Sequence, residues 1–176
     1  MRYLRPVKWP GAIIICFLLV AGACRRHKEP EHRQALSPDL LVEINRELVI
    51  KEKERIESYI SRKGLDMKFD NTGFWYKIIE HGSDTLLTEG DRLSLEYECS
   101  MLDGTLCYSS DRDGNLDIVI GNTDIPGGLD AALRLVGNNG EALVILPNNL
   151  AYGLPGDGKR IPSRAALIYS FKVSKN

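Results

Sequence analysis

The stretch "LPNNLAYGLPGDGKRIPSRAALIYSFKV", residues 146–173, holds the side chains best placed for chemistry. A loop dense in glycine and proline carries Tyr152 and then Ile161-Pro162, after which the chain alternates regularly through Tyr169. Tyr97 takes a core-facing position in an earlier alternating segment. A tyrosine ring can wall an apolar recess while its hydroxyl offers a donor to a carbonyl. By residue type alone, three such tyrosines serve equally well as plain core. Other chemistries fit less well. The three histidines, His27, His32 and His81, are scattered, so neither a nucleophile with its base nor a metal-ligand spacing is formed. "GLPGDG" lacks the Gly-Lys-Ser/Thr ending of a phosphate loop and leads into no helix. "DRDGNLD" (111–117) puts Leu116 among its acids, with no glutamate at calcium-loop distance, and reads as a solvated turn. Neither metal nor cofactor is expected.

The elements that must hold these residues are legible in the periodicity. "FWYKIIE" (74–80) reads as a strand. In "RLSLEYECSML" (92–102), Leu93, Leu95, Tyr97, Cys99 and Met101 face one side, the mark of a half-buried antiparallel strand. Asp103-Gly104 signals a hairpin returning through Leu106–Ser110. Further strands are expected at 115–120, 141–147 and 165–173, with a short helix at Leu129–Val136. The fold class is therefore α+β: a curved antiparallel sheet of about five strands wrapped on one short helix. A separate N-terminal helix precedes it. Ser37 suits its N-cap, Pro38 its first position and Gly64 the residue past its end. Leu41, Ile44, Leu48, Ile56, Tyr59 and Ile60 recur at helical spacing, while "KEKER" charges the middle on all sides. Such a helix either pairs with another copy or a partner helix, or packs its ends on the domain as a spacer.

The first residues imply a destination. "MRYLRPVK" is basic, and the run Gly11–Ala23 is apolar or small but short of the roughly 20 residues that span a bilayer. It ends in "VAGAC", small residues directly before Cys24, as in a bacterial lipoprotein signal. An ordinary cleaved signal or an uncleaved anchor is the alternative. The expected organisation is a signal peptide at 1–23, a charged tether at 24–36, a helical segment at 37–71 and the main domain at 72–176. Lipid on Cys24 would place the protein in the cell envelope, facing the periplasm. Of 23 basic residues, Arg2, Arg5 and Lys8 lie in the leader, so 20 remain against 24 acidic, a net of −4. Such a body has no electrostatic reason to bind nucleic acid.

Residues 72–175 resemble an FKBP-type peptidyl-prolyl cis-trans isomerase, in "LEYECSMLDGT", "DIPGGLDAAL", "PNNLAYG" (147–153) and "RIPSRAALIYSFKV". The upstream helix and "ISRKGLDMKFDNTGFWYKI" resemble secreted, lipid-anchored members. The resemblance implies an FKBP-like fold and isomerisation of X–Pro bonds in proline-containing polypeptides outside the cytoplasm. It makes Tyr152 the loop tyrosine that meets a substrate carbonyl. Tyr97, Tyr169 and Ile161 would line the proline pocket, with Leu116 as a further wall. Cys107, Tyr108 and Leu129 stand where the family usually has phenylalanine, aspartate and tryptophan. Ile125 matches the isoleucine whose backbone N–H meets the substrate if Gly128 is an insertion. Otherwise Pro126, which has no N–H, falls there. Matching Cys107 to the pocket puts it on one sheet face with Cys99, within reach of a disulfide. Direct pairing of Ser100 with Cys107 would put the two on opposite faces. Three readings follow: an isomerase, an FKBP-like peptide-binding or chaperone lipoprotein of little activity, and a structural lipoprotein assembled through its helix.

Overall fold

The structure, a computed structural model, describes residues 37–122 and 125–175. The expectations for the signal peptide, Cys24 and the tether fall outside them.

Helix α1 (Pro38–Lys63) has the termini its sequence signals. The Ser37 hydroxyl accepts from Leu40 N–H at 3.3 Å, which satisfies one of the orphan donors of the first turn. At the other end Leu65 N–H donates to Ile60 C=O at 3.0 Å and Gly64 N–H to Ser61 C=O at 3.1 Å, closing the last turn. Asp39 in the first turn and Arg62 and Lys63 in the last complement the helix dipole.

From Val42 onward the chain forms one compact unit. It contains seven strands: β1 (Lys68–Phe69), β2 (Trp75–Glu80), β3 (Arg92–Met101), β4 (Leu106–Ser109), β5 (Leu116–Val119), β6 (Glu141–Leu146) and β7 (Leu167–Lys175). Every pairing is antiparallel, in the order β1-β2-β6-β7-β3-β4, with β5 also beside β3. About five strands were expected. Two-residue β1 is too short to show alternation. Helix α3 (Gly127–Leu133) begins two residues before the expected Leu129 because Pro126 C=O already accepts from Leu129 and Asp130 N–H. "DRDGNLD" is also more ordered than a solvated turn: Ser110–Asp113 forms the one-turn helix α2 between β4 and β5.

Alternation gives this sheet two apolar faces. Along β7, Leu167, Tyr169, Phe171 and Val173 join Leu93, Leu95, Val144 and Leu146 in the inner core, capped by Leu129, Ala132 and Leu133 of α3. Ile145, Ile168 and Trp75 point outward and meet Ile56 of α1, with Tyr59 and Ile60 beside it. Helix α1 is thus fastened only by its C-terminal part, while Ile44, Leu48, Val49 and Ile50 are exposed. The charged middle is not wholly solvated as its composition suggests, because Glu52 is buried.

Candidate functional site

The hairpin after β3 determines where the pocket positions fall. Gly104 N–H donates to Met101 C=O, Met101 N–H donates to Thr105 C=O, and Gly104 adopts φ +89°, which favours glycine. Three residues rather than two make the turn, so Ser100 pairs with Leu106. The ladder then slips by one, Cys99 pairing with Tyr108, and Cys107 is the extra residue of a bulge. This corrects the Ser100–Cys107 register. Cys99 and Cys107 are both buried in the inner core, as free thiols. Burial pushes the Cys99 thiol up to about 12 and raises that of Cys107.

Tyr97 lies at a break in pairing. On one side of β3, β5 pairs through Leu95 and β4 resumes at Glu98. Helix α2 fills the gap, and Ser110 Oγ accepts from the Tyr97 N–H at 2.8 Å. The Tyr97 ring is half-buried and packs on the inner core. Tyr152 approaches from the opposite wall, on the loop that follows β6. Asn148–Leu150 form a 3-10 turn there, and Asn148 C=O accepts from Ala151 and Gly153 N–H at 3.1 and 2.8 Å. Gly153 C=O in turn accepts from Arg164 N–H, strapping the neck of the loop. Tyr169, on β7, is 3% exposed and interacts with both Tyr152 and Cys99. Burial pushes the Tyr169 hydroxyl far up, so it stays protonated.

The remaining residues named from the sequence fall in the same apolar cluster. Ile161, Cys107, Ile125 and Leu129 are buried within it, and Leu116 and Tyr108 are half-buried against it. Ile125 precedes Pro126 at the start of α3. With Leu129 and Cys107 each 1% exposed, the floor is small and aliphatic where aromatic residues are usual in the resembled family. A surface cleft of about 540 Å³ lies beside Glu96, Tyr97 and Glu98, and another of about 720 Å³ beside α1 and Leu102. Tyr152, Ile161 and Tyr169 line neither.

A polar network that the sequence reading missed holds the loop. Tyr108 donates to Asp157 Oδ2, and Asp157 Oδ1 accepts from Lys159 and Ile161 N–H, both at 2.8 Å. Burial alone would raise the Asp157 carboxyl, but hydrogen bonds from Tyr108 and the backbone N–H groups of Ile161, Lys159 and Arg160 hold it below its ordinary value. Its bond to Asp157 pushes the Tyr108 hydroxyl up to about 12. Arg160 lies over the Tyr108 ring, 4.7 Å from its centroid, and its Nη1 donates to both oxygens of Asp113 at 2.7 and 2.8 Å. Both are exposed or partly exposed, so this pair orients more than it stabilises. The one signal in sequence was Asp157-Gly158 inside the loop. Its partner lies 49 residues away.

The structure thus brings half-buried Tyr97 and Tyr152 and buried Tyr169 and Ile161 into one apolar cluster beside a strapped loop. Residues 83–174, just over half of the chain, match the FKBP-type peptidyl-prolyl cis-trans isomerase family. The chain belongs to that family. It is 31% identical over 125 residues to the "Probable FKBP-type peptidyl-prolyl cis-trans isomerase FkpA" of Neisseria meningitidis serogroup B, covering 70% of this chain and 46% of that one. It is 30% identical over 119 residues to the "FKBP-type 22 kDa peptidyl-prolyl cis-trans isomerase" of Escherichia coli, covering 67% and 56%. The chain thus spans about half the length of these curated relatives. In fold it is similar to the crystal structure of FkpA from Escherichia coli, with TM-score 0.62 at 19% identity over 96% of this chain and 82% of that one. It is similar also to AtFKBP13, with TM-score 0.55 at 21% identity over 61% and 95%.

Proposed function

We propose that this protein isomerises X–Pro bonds of extracytoplasmic polypeptides in an apolar pocket walled by Tyr97, Tyr152, Ile161 and Tyr169. The observation that supports the reading is the convergence of Tyr97, Tyr152, Ile161 and Tyr169 on one apolar cluster at the inner face of the sheet. Rotation about a prolyl amide faces a barrier of about 18–20 kcal/mol from C–N double-bond character. A site that holds the twisted amide better than the planar one lowers it without acid, base or metal. The Tyr152 hydroxyl, whose pKa burial raises, keeps its proton and would donate it to a substrate carbonyl. Ile161, Leu116, Ile125, Leu129, Cys107 and Tyr108 complete the apolar surround. A second reading, an FKBP-like chaperone of little turnover, is favoured by the burial of Cys107 and Leu129, which withdraws aromatic wall from the site.

An isomerisation assay on short prolyl peptides separates the two. The wild-type protein accelerates exchange, and Tyr152→Phe keeps the fold but loses about 0.5–1.5 kcal/mol of transition-state stabilisation, a two- to tenfold drop in kcat/KM. Binding without acceleration would favour the chaperone, and neither binding nor acceleration would sink both.

A further inference from the structure

Glu52 is one of two polar residues buried among those described, at 4% exposure. It lies in the most highly charged stretch of α1, where the default for glutamate is water. A carboxylate withdrawn from solvent is costly unless its oxygens are satisfied. Both are: Asn148 N–H donates to Oε1 at 2.9 Å and Asn148 Nδ2 donates to Oε2. One turn further along the helix, Ile56 packs among Trp75, Ile145, Ala166 and Ile168, seating this part of α1 on the outer face of the sheet.

The partner that Glu52 takes is the pivot of the Tyr152 loop. Glu52 grips Asn148 by its main-chain and side-chain donors. The carbonyl of the same residue holds Ala151 and Gly153, the two neighbours of Tyr152. From the other side the loop meets α3. A Cβ at Gly128 would come within 2.8 Å of Leu150 O and 2.9 Å of Leu150 Cβ, so helix and turn touch backbone to backbone. The segment 148–153 is therefore caught between α3, inside the sheet, and a carboxylate from α1, outside it.

We infer that Glu52 is a positioning residue for the reaction: through Asn148 it sets the place of the Tyr152 hydroxyl and makes helix α1 part of the active-site scaffold. This rests on the isomerase reading for its consequence in rate, but not for its consequence in structure. Shape is conserved in Glu52→Gln, yet the glutamine has one acceptor and turns its NH₂ toward an Asn148 donor. Asn148→Asp faces Glu52 with a second carboxylate. The double variant Glu52→Gln/Asn148→Asp rebuilds both bonds in reverse, the introduced glutamine accepting from the backbone N–H and donating to the new carboxylate.

The experiment uses the full chain and reads kcat and KM on a prolyl peptide together with amide exchange at Ala151 and Gly153. Expected for Glu52→Gln is a three- to tenfold loss in kcat with KM nearly unchanged, and at least tenfold faster exchange at both amides. Asn148→Asp should lose more, and the double variant should return to within about twofold of wild type in both readouts. In a Tyr152→Phe background, Glu52→Gln should cost less than twofold, since the group it positions is gone. An unchanged kcat and exchange rate in Glu52→Gln would overturn the inference. So would a double variant that recovers neither, or an undiminished loss in the Tyr152→Phe background. If a single variant does not fold, recovery in the double variant supports the coupling and its failure refutes it. A wild type without activity would sink the isomerase reading, and the exchange arm would still decide the role of Glu52.

Discussion

Tyr108 shows how one residue type redirects its neighbours. Where the resembled family usually carries aspartate, this chain carries a phenol, and an acid on the facing loop, Asp157, accepts a hydrogen bond from it. The resemblance alone makes Tyr108→Asp look like a repair, but the structure predicts the reverse: an aspartate is far shorter than the phenol and would leave Asp157 without the donor it now has. Tyr108→Asp should therefore lower kcat/KM on a prolyl peptide, and Tyr108→Phe, which loses the same bond, should lower it as well. In the wild type the Asp157 pKa is lowered, so its hold on the loop is complete above the ordinary 3.8 and is lost as pH falls through the lower folded value. The Tyr108 pKa is raised, so its donation is complete below the ordinary 10.0 and fails as pH rises through about 12. Loop-dependent activity should therefore show no titration of this pair between those limits. A pH–rate profile with a step from it near neutrality would contradict the assignment. Loop chemistry and alternation are local signals, so the sequence put Tyr152 and Ile161 on a loop and Tyr169 on a strand, while their roles came only from the resemblance. Asp157 and Arg160 stayed hidden because their partners lie 49 and 47 residues away.

Local signals served helix α1 well at its ends and poorly along its length. Ser37, Pro38 and Gly64 marked its limits, since caps are written in adjacent residues. Which residues it buries depends on the outer face of a sheet formed more than ten residues later, and no periodicity within the helix could show that Glu52 turns inward. The β3–β4 register was hidden for a similar reason: Asp103-Gly104 marks a turn, but whether two or three residues make it decides on which face Cys107 lands. Packing separates the two halves of the helix energetically. Ile56 is fully buried among Trp75, Ile145, Ala166 and Ile168, so Ile56→Ala should destabilise the unit by about 2–5 kcal/mol, seen as a lower urea midpoint. Leu48 is 38% exposed, and Leu48→Ser should stay within about 0.5 kcal/mol of wild type. Equal effects at the two positions would mean that the N-terminal part is covered in solution. Sedimentation of the Leu48 variant against wild type would then test the pairing of helices between copies.

The whole molecule is larger than its family match. That match begins at residue 83, yet β2 lies before it and pairs with β6, and α1 supplies Ile56 to one core and Glu52 to the Tyr152 loop. In the proposed function the helix would serve to shape the site, and the segment before it would carry the membrane attachment. Among the described residues no helix is long and apolar enough to cross a bilayer. The proposed attachment is instead lipid on Cys24, placed by the small residues of "VAGAC" after the apolar run Gly11–Ala23. Each buried acyl methylene contributes about 0.8 kcal/mol, and one chain alone binds only marginally, so firm attachment needs the several chains of a lipoprotein anchor. The 12 residues from Arg25 to Leu36, rich in charge, would then separate that anchor from α1. Cys24→Ser removes the thiol that would receive the lipid and leaves every described contact of the domain in place. The variant should either move from the membrane to the soluble fraction or accumulate with its leader attached, while retaining wild-type kcat/KM on a short peptide. A variant that is processed normally and still sediments with membranes would show that attachment does not depend on Cys24.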